Sequence, residues 1–161
     1  MKLKIDSIGR TIQVSALITP NSVTSHKRSN ISKIIPVGYH PIKDGKIYIL
    51  HRTHLIADQL LPQGISCNHQ NIICGTYHLN IDLMSPIEKK IKKYVKDHNC
   101  NVFYSIIPLY TKDFMIPYKL KIIAFSLGLK NISPLRIYTT LTNNQPNYTL
   151  NYQTGECLKI I

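Results

Sequence analysis

Residues 85–98, SPIEKKIKKYVKDH, constrain the fold most, because they carry helical periodicity beside segments that alternate. Ile87, Ile91, Tyr94 and Val95 recur at helical spacing, so a helix here buries one apolar stripe. Lys89, Lys90, Lys92, Lys93 and Lys96 lie mostly off that stripe and project into solvent. Ser85 as N-cap, Pro86 at the first helical position and Glu88 three residues after the cap form the pattern of a capping box. His98 and Asn99 mark the end of the helix.

The flanking segments have the period of strands. In residues 11–18, Ile12, Val14, Ala16 and Ile18 share one face and Thr11, Gln13 and Ser15 the other. Residues 47–50 lead an apolar run into His51, and 71–76 form a second short strand closed by Gly75. Beyond the helix, 101–107 read as a strand stopped by Pro108. Tyr118, Leu120, Ile122 and Ala124 alternate with Lys119 and Lys121, and 135–141 and 148–152 add two more strands. A turn at TGE leads into the final CLKII. Residues 1–10 are a polar lead-in, 21–32 an exposed loop, and the Pro- and Gly-containing IIPVGYHPIKDG a turn-rich connection before the next strand. This order predicts one α+β domain of 161 residues, with a mostly antiparallel central sheet flanked by helices.

Charge narrows the partners. Lys and Arg number 20 against 8 Asp and Glu, for a net charge of +12. Such a surplus concentrates phosphate polymers around a protein, which makes nucleic acid the leading partner. A lysine-rich coding bias would give the same surplus without one. No run reaches the ~18 apolar residues of a membrane span, and MKLKIDSIGR lacks the apolar core of a signal peptide. The expectation is a soluble chain that acts inside the cell, has had an export signal removed, or leaves the cell by another route. Cys67, Cys74, Cys100 and Cys157 lack the spacing of paired zinc knuckles, although Cys67, His69 and Cys74 lie close together. Buried thiols are expected, or a disulfide on export.

Chemistry concentrates in HRTH, residues 51–54. Residues two apart on an extended segment share a face, so Arg52 and His54 can address one phosphate, as charge clamp and as base. Histidine titrates near pH 6.5 and can take a proton from water at neutral pH. A strand histidine is also a common structural residue, so this spacing alone leaves both readings open.

Three features occur together: R-x-H-L-I-A from Arg52, NIICGTYHLN ending at Asn80, and an acid eight positions later at Glu88. Together they resemble the bacterial DNA/RNA non-specific endonucleases of the ββα-metal superfamily. The resemblance is to the branch with streptococcal secreted and membrane-bound DNases, related to the Serratia-type nucleases. GRTIQVSALITPNS, KRSNISKIIPVGYH, KKYVKDHNCNVFYSIIPLY and NYTLNYQTGE resemble the same branch in the same order.

The resemblance implies a ββα-metal core over about residues 47–97. It implies His54 as general base, Arg52 as transition-state clamp, Asn80 as ligand of Mg²⁺ (with Mn²⁺ as a substitute) and Glu88 as its acidic partner. Lys92 is implied as a second basic residue one turn after Glu88, where Arg is usual. Lys27 and Arg28 fall where the branch carries basic contacts to nucleic acid, and Lys89 and Lys93 flank the same site. DNA and RNA are the implied substrates, and 5′-phosphates the products. The resemblance favours secretion, and the role stays open between a nutritional or virulence nuclease and a toxin aimed at rival cells; a toxin this basic would suit an acidic inhibitor. His51 stands where many relatives have Asp, and Thr53 where many have Gly. These departures keep open a non-catalytic, basic nucleic-acid-binding protein on the same scaffold. Glu88 also reads as the capping-box acid, Asn80 as the end of a turn, and Asn71 as a turn residue. Tyr39, Tyr48, Tyr77 and Tyr104 have spacing that suits packing better than stacking on bases.

Overall fold

A computed structural model describes residues 1–23, 29–128 and 133–160. In chain order it contains β1 (Lys2–Ile5), β2 (Thr11–Ile18), β3 (Lys43–Asp44), β4 (Ile47–Tyr48), β5 (Leu50–His54) and β6 (Ile72–Thr76). A π-helical segment, His78–Met84, then runs directly into α1 (Ser85–His98). There follow β7 (Asn101–Leu109), β8 (Lys119–Leu127), β9 (Arg136–Thr142), β10 (Tyr148–Leu150) and β11 (Cys157–Lys159). The central sheet is antiparallel, in the order β1-β2-β7-β8-β9, and β5 pairs with β6 in a separate hairpin. The fold is α+β, as the element order implied.

One face of the sheet makes the main core. Val14, Ala16 and Ile18 of β2, Val102, Tyr104 and Ile106 of β7, and Leu120, Ile122 and Ala124 of β8 pack with Ile91 and Val95 of α1. Each buried aliphatic side chain contributes about 1.5–3 kcal/mol, so α1 is held by tertiary packing more than by propensity. A second cluster of Leu50, Cys74 and Ile116, with Tyr39, Ile42, Leu150 and Tyr152 around it, backs the β5–β6 hairpin. The four cysteines are free; Cys74, Cys100 and Cys157 are buried. Burial, and then the neighbouring Cys157, push the Cys74 thiol up to about 12. Among the described residues no helix is long and apolar enough to cross a membrane.

Four expectations are corrected. The supposed lead-in contains β1, an edge strand that β2 completes. Within β2, Ile12 does not join the core face: the β1 register steps from Gln13 to Thr11, leaving Ile12 as the extra residue of a bulge. That residue swings out to 38 % exposure, while Thr11 turns in and donates its hydroxyl to Gln70 O at 2.6 Å. Pro108 does not stop its strand. Pairing with β2 ends at Ile106, so Pro108 lies where β7 has β8 as its one sheet neighbour and an N–H is dispensable. Finally, Ser85 is no N-cap, because the chain is already helical at Tyr77 and Ser85 has helical dihedrals of −56° and −40°. A cap requires a non-helical backbone, so the capping-box reading of Glu88 falls with it.

Candidate active site

The register of the β5–β6 hairpin sets His51 opposite Gly75, Arg52 opposite Cys74 and His54 opposite Ile72. At the end of β6 the chain passes into helix without a loop. Tyr77 still donates its N–H to Ile49 O at 2.8 Å, and Thr76 Oγ1 accepts from the Leu79 N–H at 3.1 Å in the manner of a cap. Asn143, fully buried, accepts from the Thr76 N–H and donates to the carbonyls of Cys74 and Pro117. Gln145 Oε1 accepts from the His78 N–H at 3.0 Å. The strand-to-helix junction is therefore fixed from the side by the segment after β9.

This junction brings Asn80 over β5. Its Nδ2 donates to His51 Nδ1 at 2.9 Å, and the His51 ring meets Tyr77 edge-on at 5.4 Å. An accepting Nδ1 places the proton of the neutral imidazole on Nε2. With its nitrogen engaged, Asn80 presents its carbonyl oxygen as the remaining polar end. The Asn80 backbone carbonyl bonds the Ser85 N–H, the i to i+5 pairing that widens this turn. Glu88 follows on the buried side of α1, 8 % exposed. Its charge, after burial itself, helps push the Tyr104 hydroxyl well above the usual tyrosine value.

His54 closes β5 and is 6 % exposed. The backbone beyond it is stitched by buried Asn71, whose Oδ1 accepts from the Ile56 N–H and whose Nδ2 donates to Ile56 O, both at 3.0 Å. Asn71 thus serves the scaffold. Arg52 turns to the connection before β3: Nε donates to Ile34 O at 2.8 Å and Nη1 to Tyr39 Oη at 3.3 Å, with the guanidinium 4.3 Å from the Tyr39 ring centre. Two of its five N–H donors are committed there, leaving the Nη2 edge. Lys92, half-buried, donates to Gln59 Oε1 at 3.2 Å. Lys89 is exposed, and Lys93, also exposed, pairs with Asp97 on the same helix. Lys27 and Arg28 lie outside the described residues.

Sequence reasoning passed over Asp58. This buried carboxylate accepts from the Ser29 N–H at 2.8 Å, from the Ser29 hydroxyl at 2.9 Å and from the Ser66 hydroxyl. It ties the residue after Arg28 to the turn that follows His54. An acid inside the apolar run LIADQLL was the available signal, since unpaired acids are rarely buried. Tyr39, Gln59 and Asn143 carried no such mark.

The two departures at 51 and 53 are both accommodated. His51 keeps an acceptor aimed at Asn80, and Thr53 fills the space over Gly75, where an added Cβ would lie 2.8 Å from Thr53 Cβ. Gly75→Ala should therefore cost about 1–3 kcal/mol, read as a lower midpoint in urea unfolding, and Thr53→Gly in the same chain should recover most of it. Persistence of the loss in the double variant would separate Gly75 from Thr53.

Asn80 and Glu88 offer oxygen donors, which fit a hard dication such as Mg²⁺. Among the described residues no three His, Cys, Asp or Glu side chains cluster as a metal site. A family model described as DNA/RNA non-specific endonuclease matches residues 2–127. The chain belongs to the DNA/RNA non-specific endonuclease family. No match is found among curated proteins. Among solved structures, this endonuclease is similar to NucA from Streptococcus agalactiae with magnesium bound. That match has 24 % identity and a TM-score of 0.82, covering 98 % of this chain and 78 % of NucA. The Sda1 nuclease with bound zinc follows at 22 % identity and TM-score 0.79, with coverage of 98 % and 79 %. A protein described as an extracellular endonuclease matches at 13 % identity and TM-score 0.69, with coverage of 97 % and 84 %. At these identities the structures speak for the fold. The endonuclease assignment rests on the family match, which gives it nucleic acid as substrate.

Proposed function

We propose that this endonuclease is a Mg²⁺-dependent enzyme, active on DNA and RNA, that hydrolyses phosphodiesters to leave 5′-phosphates. The observation that carries this reading is the hydrogen bond from Asn80 to His51. It joins the start of the helix to the strand that ends in His54 and leaves the Asn80 carbonyl oxygen for a cation. Asn80 would hold the metal, with Glu88 behind it, and Mn²⁺ has the oxygen preference to substitute. When bound, the metal supplies charge neutralisation at the phosphate and at the leaving 3′ oxygen.

The protein's own groups do the rest. His54 Nε2 or Nδ1, whichever ring nitrogen lacks a proton, takes one from the attacking water. Arg52 holds the phosphate through its Nη2 edge, its other side being fixed by Ile34 O and Tyr39. Lys92, steadied by Gln59, adds positive charge one turn beyond Glu88. Lys89, Lys93, Lys27 and Arg28 contribute contacts to backbone phosphates, which position a polymer without reading its bases.

The test is cleavage of supercoiled plasmid and of total RNA, with Mg²⁺, with Mn²⁺ and with EDTA. Metal-dependent cutting of both polymers, with 5′-phosphates at the ends, is expected. Binding of nucleic acid without cutting in any divalent metal would leave the scaffold as a binding module. Export, a toxin role and an acidic inhibitor belong to the same proposal, and capture of an acidic protein encoded beside the nuclease would support the last two.

A further inference from the structure

The central sheet has a second face, turned away from α1, and its composition is unlike that of a solvated surface. The register defines it in rows: Leu17, Phe103, Phe125 and Arg136; then Lys2, Ser15, Ser105, Ile123 and Tyr138. A third row holds Ile107, Lys121 and Thr140. Aromatic rings and cations share it. Phe103 and Phe125 lie 5.1 Å apart and tilted by 34°, and Lys121 Nζ stands 4.8 Å from the centre of the Tyr138 ring. Tyr138 is 71 % exposed and Phe125 40 %. Lys2, Lys4, Lys119, Lys121 and Arg136 all project on this side, whereas β1, β2, β7, β8 and β9 contain none of the eight acidic residues.

We infer that this face binds single-stranded nucleic acid, with unpaired bases stacked on Phe125 and Tyr138 and phosphates held by Lys119, Lys121 and Arg136. Exposed rings on an open sheet offer every base a π-face, and the flanking cations track the backbone. The charge favours this occupant. Lys121 and Arg136 stand at the margin of the apolar side chains, where they favour a polyanion over an apolar protein partner, and two copies of so basic a face would repel. Glu88 and the helix lie on the opposite side of the sheet, against Tyr104, so the platform is separate from the cleavage site and adds a second hold on the same polymer. The inference concerns binding and stands whether or not the chain cuts.

Binding is therefore measured in EDTA, without turnover, by fluorescence anisotropy of a labelled oligothymidylate and of a duplex. Phe125→Ala with Tyr138→Ala should weaken oligothymidylate binding at least about tenfold, while duplex binding stays within about twofold, because paired bases cannot stack on the sheet. Phe125→Leu with Tyr138→Leu keeps apolar bulk and should show the same selective loss if the alanine pair misfolds. Photocrosslinks from bromodeoxyuridine should map to β8 and β9. Equal losses for both ligands, unchanged binding, or crosslinks confined to β5 and α1 would overturn the inference. So would a dimer in sedimentation that the ring variants dissolve.

Discussion

His54→Ala should lower plasmid cleavage by about 10²–10⁴-fold, the usual contribution of a positioned general base. The loss should fall on kcat, with DNA binding in EDTA close to wild type, because the basic surface that holds the polymer is untouched. A buried imidazole has two possible roles, and this experiment must separate them. At 6 % exposure, His54 also fills volume at the end of β5, so its removal leaves a cavity and some loss of stability is expected. His54→Asn keeps polar bulk without a usable base, and should be nearly as inactive yet closer to wild type in urea unfolding. Added imidazole should restore part of the activity of the alanine variant if a proton acceptor is what was lost. A structural histidine would give the opposite set of results: activity recovering in the asparagine variant and no response to imidazole.

The contrast between the helix and its beginning shows what local pattern can and cannot convey. Ile91 and Val95 were legible as core because the sheet accepts any apolar stripe at that period. The start of α1 was not legible, since Ser85, Pro86 and Glu88 satisfy every local rule for a first turn. What overrides them is tertiary: Asn143 and Gln145 bind the strand-to-helix junction and let helix begin at His78. The Ile12 bulge has the same cause, because β1 decides which residues of β2 face inward. The site divides similarly. Resemblance to a family marks His54, Asn80 and Glu88 by type and spacing, but spacing cannot show that Arg52 leans on Tyr39, that Asp58 anchors Ser29, or that His51 is Asn80's partner. Those contacts join residues 13, 29 and 29 positions apart, and they exist only once the hairpin and the helix have closed.

The His51 contact leads to the second large effect. On the proposed reading Asn80 is the direct ligand and Glu88 stands behind it, so Asn80→Ala should abolish measurable metal binding. His51→Ala should weaken Mn²⁺ affinity by about 10–100-fold, the usual cost of removing the partner that orients a metal ligand. The measurement is Mn²⁺ binding followed by its electron paramagnetic resonance signal, which reads the site without any turnover. In wild type the 2.9 Å bond from Asn80 Nδ2 to His51 Nδ1 fixes which end of the amide faces outward. Without it the side chain turns freely, and ordering it again is charged against metal binding. His51→Asp supplies an acceptor of the kind many relatives carry at this position, so it should keep most of the affinity, and cleavage with it. If the aspartate variant loses metal as badly as the alanine variant, His51 acts through something other than accepting that hydrogen bond. If neither variant changes affinity while Asn80→Ala does, the amide is oriented by the wide helical turn alone, and the histidine at this position is a replacement without consequence for the metal.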